Sequence, residues 1–209
     1  MELFQPSPMP LVAILRGLTP VEAPVVGRVL FDAGFRMLEV PLNRAGAIDA
    51  MRILLEMAPD DAIIGAGTVL TTAQVDEVRN AGGRLIVSPH CAPDVISAAV
   101  QNGMLALPGV STPTEAFRAL EAGAQGLKLF PAEMIPPGAL KSMKSILPPG
   151  TPLMPVGGIH PGNMAPYVAA GATGFGIGGQ LYQPSIELTA LKRSAEAFMA
   201  AREKLLEGA

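Results

Sequence analysis

The feature that most constrains the fold is a repeat of about 20–24 residues that recurs along the chain. In each repeat a glycine follows an amphipathic stretch and precedes a short apolar run. A glycine in this position is typical of the residue that ends a helix just before a buried strand. The shared glycines are Gly34, Gly82, Gly103, Gly123 and Gly171. The repeat therefore predicts a series of strand–helix units.

Hydrophobic periodicity predicts eight strands, which alternate with helical patterns that open with Ser, Thr, Asp or Pro. The strands are continuous apolar runs, as expected for parallel strands covered by helices. Eight such units in 209 residues predict an α/β fold, a (β/α)8 TIM barrel that forms a single domain over residues 1–209. The alternative is a doubly wound open sheet, but no GxGxxG follows the first strand to support it. The predicted strands lie near residues 11–15, 37–40, 62–67, 85–89, 106–110, 126–131, 153–158 and 174–179.

Charge and composition argue against several classes of protein. The net charge is −3 and no basic run is present, so we expect no nucleic-acid partner. Residues 145–186 carry no Asp, Glu, Lys or Arg, but they are too rich in Pro and Gly for a membrane-spanning helix. The single cysteine, Cys91, cannot form an intramolecular disulfide, and the N-terminal segment lacks the pattern of a secretory signal. A cytoplasmic enzyme fits these observations best.

Lys128 is the one lysine within a predicted strand, whereas Lys141, Lys144, Lys192 and Lys204 fall on predicted helices. Strand alternation places the Lys128 side chain on the face that would line the barrel interior. Burial there would lower the pKa of the amine and leave it neutral, able to attack a carbonyl carbon. The alternative is a structural lysine paired with a carboxylate.

Glu39 is the acidic residue that falls within a predicted strand, near the carboxyl end of the second one. A carboxylate among apolar neighbours would have a raised pKa, which suits proton transfer. Glu39 and Lys128 thus form a candidate pair of acid/base and nucleophile at the end of the barrel where active sites are built. A merely structural ion pair between them is the alternative.

Two residues at strand ends could bind a substrate anion. Arg16 ends the first predicted strand, and its guanidinium offers forked donors to a carboxylate. Thr68 follows the third predicted strand, where it could equally serve as the N-cap of the next helix.

Glycine-rich turns follow the last two predicted strands. They contain Gly157 and Gly158 in the first turn, and Gly178 and Gly179 in the second. Loops at these two positions of a barrel commonly hold a phosphate through backbone N–H groups. The turns therefore predict a phosphate site that needs no charged side chain.

His90 and His160 also follow predicted strands, with Cys91 close to the first of them. They raise the alternative of a metal-dependent epimerase or lyase on the same barrel, although a catalytic zinc normally has three protein ligands. We expect no metal and treat the two histidines as polar loop residues near the mouth of the site. A phosphosugar-binding barrel without catalytic activity is a further alternative.

Five motifs together resemble the class I 2-keto-3-deoxy-6-phosphogluconate and -phosphogalactonate aldolases, over nearly the whole chain. Their order, spacing and number make the resemblance specific. The motifs are Leu-Glu-Val-Pro-Leu-Asn at 38–43, Gly-Ala-Gly-Thr-Val at 65–69, Val-Ser-Pro at 87–89, Leu-Lys-Leu-Phe-Pro-Ala at 127–132 and Val-Gly-Gly-Ile at 156–159.

The resemblance implies a homotrimeric (β/α)8 barrel that uses no metal or other cofactor. Such an enzyme reversibly cleaves a six-carbon phosphorylated keto sugar acid to pyruvate and D-glyceraldehyde 3-phosphate. Carried onto this chain, it implies that Lys128 forms the Schiff base and that Glu39 is the general acid/base. It places Arg16, Thr68 and Pro89 around the pyruvate half of the substrate. The phosphate loops match Gly157, Gly158, Gly178 and Gly179.

Two positions bear on which C4 epimer is the substrate. The gluconate-type enzymes usually have Arg where this chain has Asn43, and Thr where it has Val156. The galactonate-type enzymes resemble this chain at both positions, so we expect the galactonate epimer, with the gluconate epimer as the alternative. His160 also departs from the usual residue at the edge of the phosphate loop.

Overall fold

The computed structural model describes residues 9–208, so residues 1–8 and 209 of the predicted domain lie outside the described part. Strands and helices alternate along this part. The strands are β1 (Leu11–Ile14), β2 (Met37–Pro41), β3 (Ile63–Gly67), β4 (Leu85–Val87), β5 (Leu105–Leu107), β6 (Gly109–Val110), β7 (Leu127–Leu129), β8 (Leu153–Pro155) and β9 (Phe175–Ile177). The α-helices are α1 (Ala23–Asp32), α2 (Ala47–Glu56), α3 (Thr72–Asn80), α4 (Pro93–Gln101), α5 (Pro113–Glu121), α6 (Pro137–Lys144), α7 (Met164–Ala170) and α8 (Leu188–Glu207). Short 3₁₀ helices span Ala132–Met134 and Pro161–Asn163.

All paired strands are parallel, and their order follows the chain. One sheet has the order β5-β4-β3-β2-β1-β9 and the other has the order β6-β7-β8. Strand order in a doubly wound fold reverses at a switch point. Here each strand lies beside its neighbour in sequence and β1 pairs with β9, so the doubly wound alternative is wrong.

The two sheets approach each other at both of their edges. At one edge the predicted strand 106–110 is divided at Pro108, which has no N–H to donate to a ladder. Residues before Pro108 pair with β4 and residues after it pair with β7. At the other edge, a parallel bridge joins Val156, just after β8, to Gly176 in β9.

Apolar residues form two separate clusters on the two sides of the strands. The larger cluster lies between strands and helices and includes Leu127 and Leu129 of β7. The smaller cluster lies on the inner side of the curved sheets and draws residues from both of them. Its members are Val12, Met37, Leu85, Val87, Leu105, Leu107 and Met154. The inner side is therefore packed with apolar side chains.

The predicted helix ends are confirmed by the backbone. Each of the five glycines shared by the repeats has a positive φ, from 70° at Gly103 to 109° at Gly171. Glycine adopts this left-handed conformation without a Cβ penalty, which is why it ends these helices. Among the described helices, none is long and apolar enough to cross a membrane.

Candidate active site

Lys128 lies in the middle of β7 with its side chain on the inner side of the sheet. Its neighbours Leu127 and Leu129 pack on the outer side, as strand alternation predicts. Lys128 lines a small interior cavity and is only 7% exposed. Burial lowers the pKa of its amine, while the Glu39 carboxylate opposes that shift. The amine of Lys128 therefore loses its proton more readily than the amine of a surface lysine.

Glu39 lies in β2, where Ile14 of β1 and Gly65 of β3 are its register partners. Its side chain is 2% exposed. Burial raises its pKa to about 7, against the lowering effects of the Lys128 and Arg16 charges. A carboxyl group with this pKa gives up and regains a proton readily near neutral pH.

Glu39 and Lys128 line the same interior cavity, of about 10 Å³. Within the described residues they form no ion pair, and Oε2 of Glu39 has no hydrogen-bond partner. Each charge nevertheless shifts the pKa of the other group. The structural ion pair considered above is therefore not formed, and the carboxyl group and the amine line one cavity without a direct bond.

Arg16 follows β1 and meets Asn43 at the carboxyl edge of the sheet. With the Asn43 amide oriented to satisfy its surroundings, its oxygen accepts from Arg16 Nη1 at 3.1 Å and its nitrogen donates to the Pro41 carbonyl at 3.3 Å. Arg16 also acts on the pKa of both Glu39 and Lys128, so its charge lies near the pair. Asn43 thus orients an arginine that is free to bind an anion with its remaining donors.

Thr68 and Pro89 lie at the ends of β3 and β4. Thr71, and not Thr68, is the N-cap of α3, so the capping alternative for Thr68 is wrong. Thr68 instead has a φ of 55°, a left-handed conformation that is uncommon for threonine. The backbone of Pro89 packs against Gly109, which is the register partner of Lys128. Both residues follow the carboxyl ends of strands in the sheet that holds Glu39, but neither lines the interior cavity of Glu39 and Lys128.

An open pocket of about 340 Å³ lies at the carboxyl end of the strands. Arg16, Phe130 and the two glycine-rich turns line it. Ile14 and Val156 line both this pocket and the interior cavity of the Glu39–Lys128 pair. A ligand in the pocket could therefore reach the buried amine from one end and the glycine turns from the other.

The glycine-rich turns present unpaired backbone donors. Within the described residues, the N–H groups of Gly158, Gly178 and Gly179 have no hydrogen-bond acceptor. Gly157 and Gly158 have φ values of 113° and 60°, which favour glycine and let the backbone approach a ligand closely. Such N–H groups at loops after the last strands of a barrel can hold a phosphate.

His90 and His160 are both exposed. The Asn163 amide oxygen accepts from the backbone N–H of His160 at 2.9 Å, as part of a cap on the short helix that follows. In residues 9–208, no group of three or more His, Cys, Asp or Glu side chains is placed to hold a metal ion. The two histidines thus remain loop residues outside the pocket lining.

Sequence reasoning missed two aromatic residues of the site. Phe130 follows Lys128 by two positions, and the Lys128 Nζ lies 4.7 Å from the centroid of its ring. Tyr182 is 2% exposed and lines the open pocket below the second glycine turn. The alternation that placed Lys128 inside also places Phe130 there, so this signal was available. Nothing local indicates that Tyr182 reaches the pocket.

Comparison with known proteins identifies the family of the chain. The family described as KDPG and KHG aldolase matches residues 8–194. The chain belongs to the KDPG and KHG aldolase family. Its α/β fold with parallel strands is the fold of this family's solved structures.

Two curated relatives are similar along their whole length. The probable 2-dehydro-3-deoxy-6-phosphogalactonate aldolase of Rhizobium meliloti (strain 1021) is 43% identical over 203 residues, 97% of this chain and 96% of that protein. The 2-dehydro-3-deoxy-6-phosphogalactonate aldolase of Escherichia coli (strain K12) is 41% identical over 199 residues, 95% and 97% of the two chains.

Two solved structures of the aldolase family are similar in fold. A native KDPGal structure superposes with a TM-score of 0.94 at 40% identity and covers 97% of this chain and 98% of that one. The KDPG aldolase from Legionella pneumophila, with pyruvate captured at low pH as a covalent carbinolamine intermediate, has a TM-score of 0.78 at 26% identity and 94% coverage of each chain.

Proposed function

We propose that this aldolase reversibly cleaves 2-dehydro-3-deoxy-6-phosphogalactonate to pyruvate and D-glyceraldehyde 3-phosphate through a Schiff base on Lys128. The observation that carries the proposal is the buried, unbonded pair of Glu39 and Lys128 beneath a pocket lined by glycine-rich turns. The relatives named as phosphogalactonate aldolases and the carbinolamine trapped in the Legionella pneumophila enzyme support it.

The reaction begins with the neutral amine of Lys128. Its lone pair attacks the C2 ketone, the new N–C2 bond forms, and a proton passes from the nitrogen to the ketone oxygen to give a carbinolamine. Protonated Glu39 gives that hydroxyl a proton and water leaves. The protonated imine that remains withdraws electrons from the C3–C4 bond. Burial of Lys128 favours the neutral amine that this first step needs.

Glu39 moves the protons in the steps that follow. Its carboxylate removes the proton of the C4 hydroxyl, the C3–C4 bond breaks, and its electrons pass to the imine to form an enamine. C4 leaves as the aldehyde carbon of glyceraldehyde 3-phosphate. Protonated Glu39 then returns a proton to C3, and water hydrolyses the imine to release pyruvate. A pKa of about 7 lets one carboxyl group act in both directions.

The two ends of the substrate carry negative charge, and the pocket offers donors for both. Arg16, oriented by Asn43, binds the carboxylate, with Thr68 and Pro89 on the same sheet edge. The N–H groups of the glycine turns bind the phosphate. Binding at both ends orients the C3–C4 bond between Lys128 and Glu39, so that binding energy contributes to rate.

The choice of C4 epimer rests on Asn43 and Val156. Val156 is apolar and lines the passage between cavity and pocket, so it offers no side-chain hydrogen bond to a hydroxyl there. Asn43 acts through its hydrogen bond to Arg16. We expect higher kcat/KM for the galactonate epimer, measured with both epimers under the same conditions; a preference for the gluconate epimer would overturn this part of the proposal.

We also propose that the two sheets form one closed (β/α)8 barrel, that this barrel is the whole domain, and that three copies associate. The approach of the sheets at Pro108 and at the Val156–Gly176 bridge supports closure. Exposed apolar side chains such as Val21 and Met134, at 88% and 75% exposure, support association. Sedimentation equilibrium tests the trimer, and a monomer mass would overturn it.

Borohydride reduction in the presence of pyruvate is the experiment that tests the Schiff base. Intact mass should show one reduced pyruvate adduct, and peptide mapping should place it on Lys128. Lys128→Ala should abolish both the adduct and cleavage. Lys141→Ala, which removes an exposed helix lysine, is the matched control and should leave both unchanged. No adduct on folded wild-type protein, or an adduct elsewhere, would overturn the proposal.

A further inference from the structure

Two loops of the site are joined by the side chain of Glu22, a residue outside the pocket lining. Glu22 lies just before α1, in the segment that follows Arg16. Its Oε1 accepts from the backbone N–H of Ser185 at 3.0 Å, across 163 positions of the chain. Its Oε2 accepts from the hydroxyl of Thr19 at 2.7 Å and from the N–H of Thr19 at 3.3 Å. One carboxylate therefore connects the segment after β1 with the segment after β9.

The segment after β9 carries the second glycine turn. The carbonyl of Gly178 accepts from the N–H groups of Leu181 and Tyr182, and the N–H of Ile186 donates to Gln183. These bonds make 178–186 one folded segment that runs from the turn to Ser185. Holding Ser185 in place therefore also restricts the position of Gly178.

A second contact between the same two segments lies beside the Glu22 bond. Gly17 and Pro184 face each other so closely that a methyl group at Gly17 would lie 3.0 Å from Pro184 Cγ. The hydroxyl of Tyr182 also lies near Glu22: burial first, and then the Glu22 charge, raise the pKa of Tyr182 to about 12. The Glu22 pKa is lowered, chiefly by the hydrogen bond from Thr19, so the carboxylate is charged at neutral pH.

We propose that Glu22 is a positioning residue, which holds the N–H groups of Gly178 and Gly179 in the arrangement that binds phosphate, at a fixed separation from Arg16. This inference rests on the proposed function, in which these two groups of donors bind opposite ends of one substrate. Loosening of the second glycine turn matters only for a ligand that carries a phosphate group. Pyruvate needs the amine and Arg16 but not the second glycine turn.

The test compares Glu22→Gln with Glu115→Gln. Glu115 accepts the same set of bonds at the start of α5, from the N–H groups of Ser111 and Thr112 and from the Thr112 hydroxyl, but it does not line the pocket. Each glutamine keeps the shape of the side chain and loses acceptor strength. Both variants therefore remove one helix-terminal carboxylate, but only Glu22→Gln loosens the segment 178–186 that carries the second glycine turn.

Two kinds of measurement are made on wild type and both variants. The first is KM and kcat for the phosphorylated six-carbon substrate. The second needs no turnover: the dissociation constant of inorganic phosphate by calorimetry, and the rate of borohydride trapping with pyruvate. We expect Glu22→Gln to raise KM and the phosphate dissociation constant by about tenfold, with a smaller change in kcat and an unchanged trapping rate.

Several results would overturn the inference. One is a wild-type phosphate dissociation constant in folded Glu22→Gln. Another is an equal rise of KM and of this constant in Glu115→Gln. The third is a pyruvate-trapping rate that falls in Glu22→Gln as much as phosphate affinity does. If Glu22→Gln does not fold, Thr19→Val removes the hydroxyl that donates to Glu22 Oε2 and accepts from the Glu22 N–H, and it should shift the same constants in the same direction by a smaller factor. Absence of trapping in wild type would instead count against the proposed function, and phosphate binding would still test Glu22.

Discussion

The carboxylate of Glu39 lies directly against the backbone of Gly67, and this contact gives the most specific prediction. Gly67 ends β3, its φ is not positive, and its backbone can therefore accept alanine without strain. A methyl group there would nevertheless lie 2.5 Å from Glu39 Oε1, with Cδ and Oε2 closer still. Gly67→Ala is thus expected to displace the carboxylate proposed as the acid/base while leaving Glu39 in the protein.

The size of the effect follows from this overlap. Real Cβ atoms keep at least 3.0 Å from other heavy atoms, so the carboxylate has to withdraw by about 1 Å or more. A displacement of about 1 Å in a reacting group costs on the order of 100-fold in rate. We therefore expect kcat to fall by about 100-fold. KM should change little, because Arg16 and the glycine turns are not touched by the methyl group.

Pyruvate release coupled to lactate dehydrogenase measures kcat and KM, and thermal unfolding checks that the variant is folded. Gly138→Ala is the matched control, because a methyl group at Gly138 in helix α6 meets no atom within 4 Å. In a Glu39→Ala background, Gly67→Ala should have no further effect, since no carboxylate remains to be displaced. A folded Gly67→Ala with wild-type kcat, or additive losses in the double variant, would refute the reasoning.

Further predictions concern protonation, the phosphate loop, metals and stability. Because the Glu39 carboxylate must take the proton of the C4 hydroxyl and its pKa in the free protein is raised to about 7, kcat/KM should rise with pH through about 7; a flat profile from pH 5 to 8 would contradict this. Gly157→Ala places a methyl group against the Glu133 carboxylate, at a residue whose φ is 113°, so KM should rise about tenfold. The rise should be smaller for Gly179→Ala, because a methyl group there meets no atom within 4 Å. Activity should survive EDTA, and loss that added metal restores would revive the metal-dependent alternative. Thr71→Ala removes a capping box from α3 and should lower the free energy of unfolding by about 1 kcal/mol in urea titration, with kcat unchanged.

Much of the fold was predictable because its signals are local. Periodic apolar runs and helix-ending glycines placed every predicted strand on an observed one, and all five shared glycines have the positive φ that the pattern requires. The errors concern strand ends. The observed strands are mostly shorter, and the strand at 106–110 is divided at Pro108, because each half pairs with a different neighbour. The pattern of apolar residues in a sequence does not show which neighbouring strand a strand will pair with.

The site was predictable to the extent that strand alternation decides which side chains face inward. Lys128 and Glu39 are the charged residues of the inner side, as the alternation indicated. The alternation did not show that Asn43 binds Arg16, that Gly67 makes room for Glu39, or that Tyr182 lines the pocket. These contacts join residues from separate strand–helix units.

The order of secondary structure, the choice of inward-facing residues and the family motifs were determined by the sequence itself, because each depends on neighbours only a few positions away. The tertiary structure alone decided the environment of those residues. Burial raises the pKa of Glu39, and the charges of Lys128 and Arg16, brought close from other parts of the chain, limit that rise. The bond from Ser185 to Glu22 needs β1 and β9 side by side. Burial, close approach of charges and hydrogen bonds between residues far apart in the sequence exist only after the chain has folded. They determine the protonation and the position of Lys128 and Glu39.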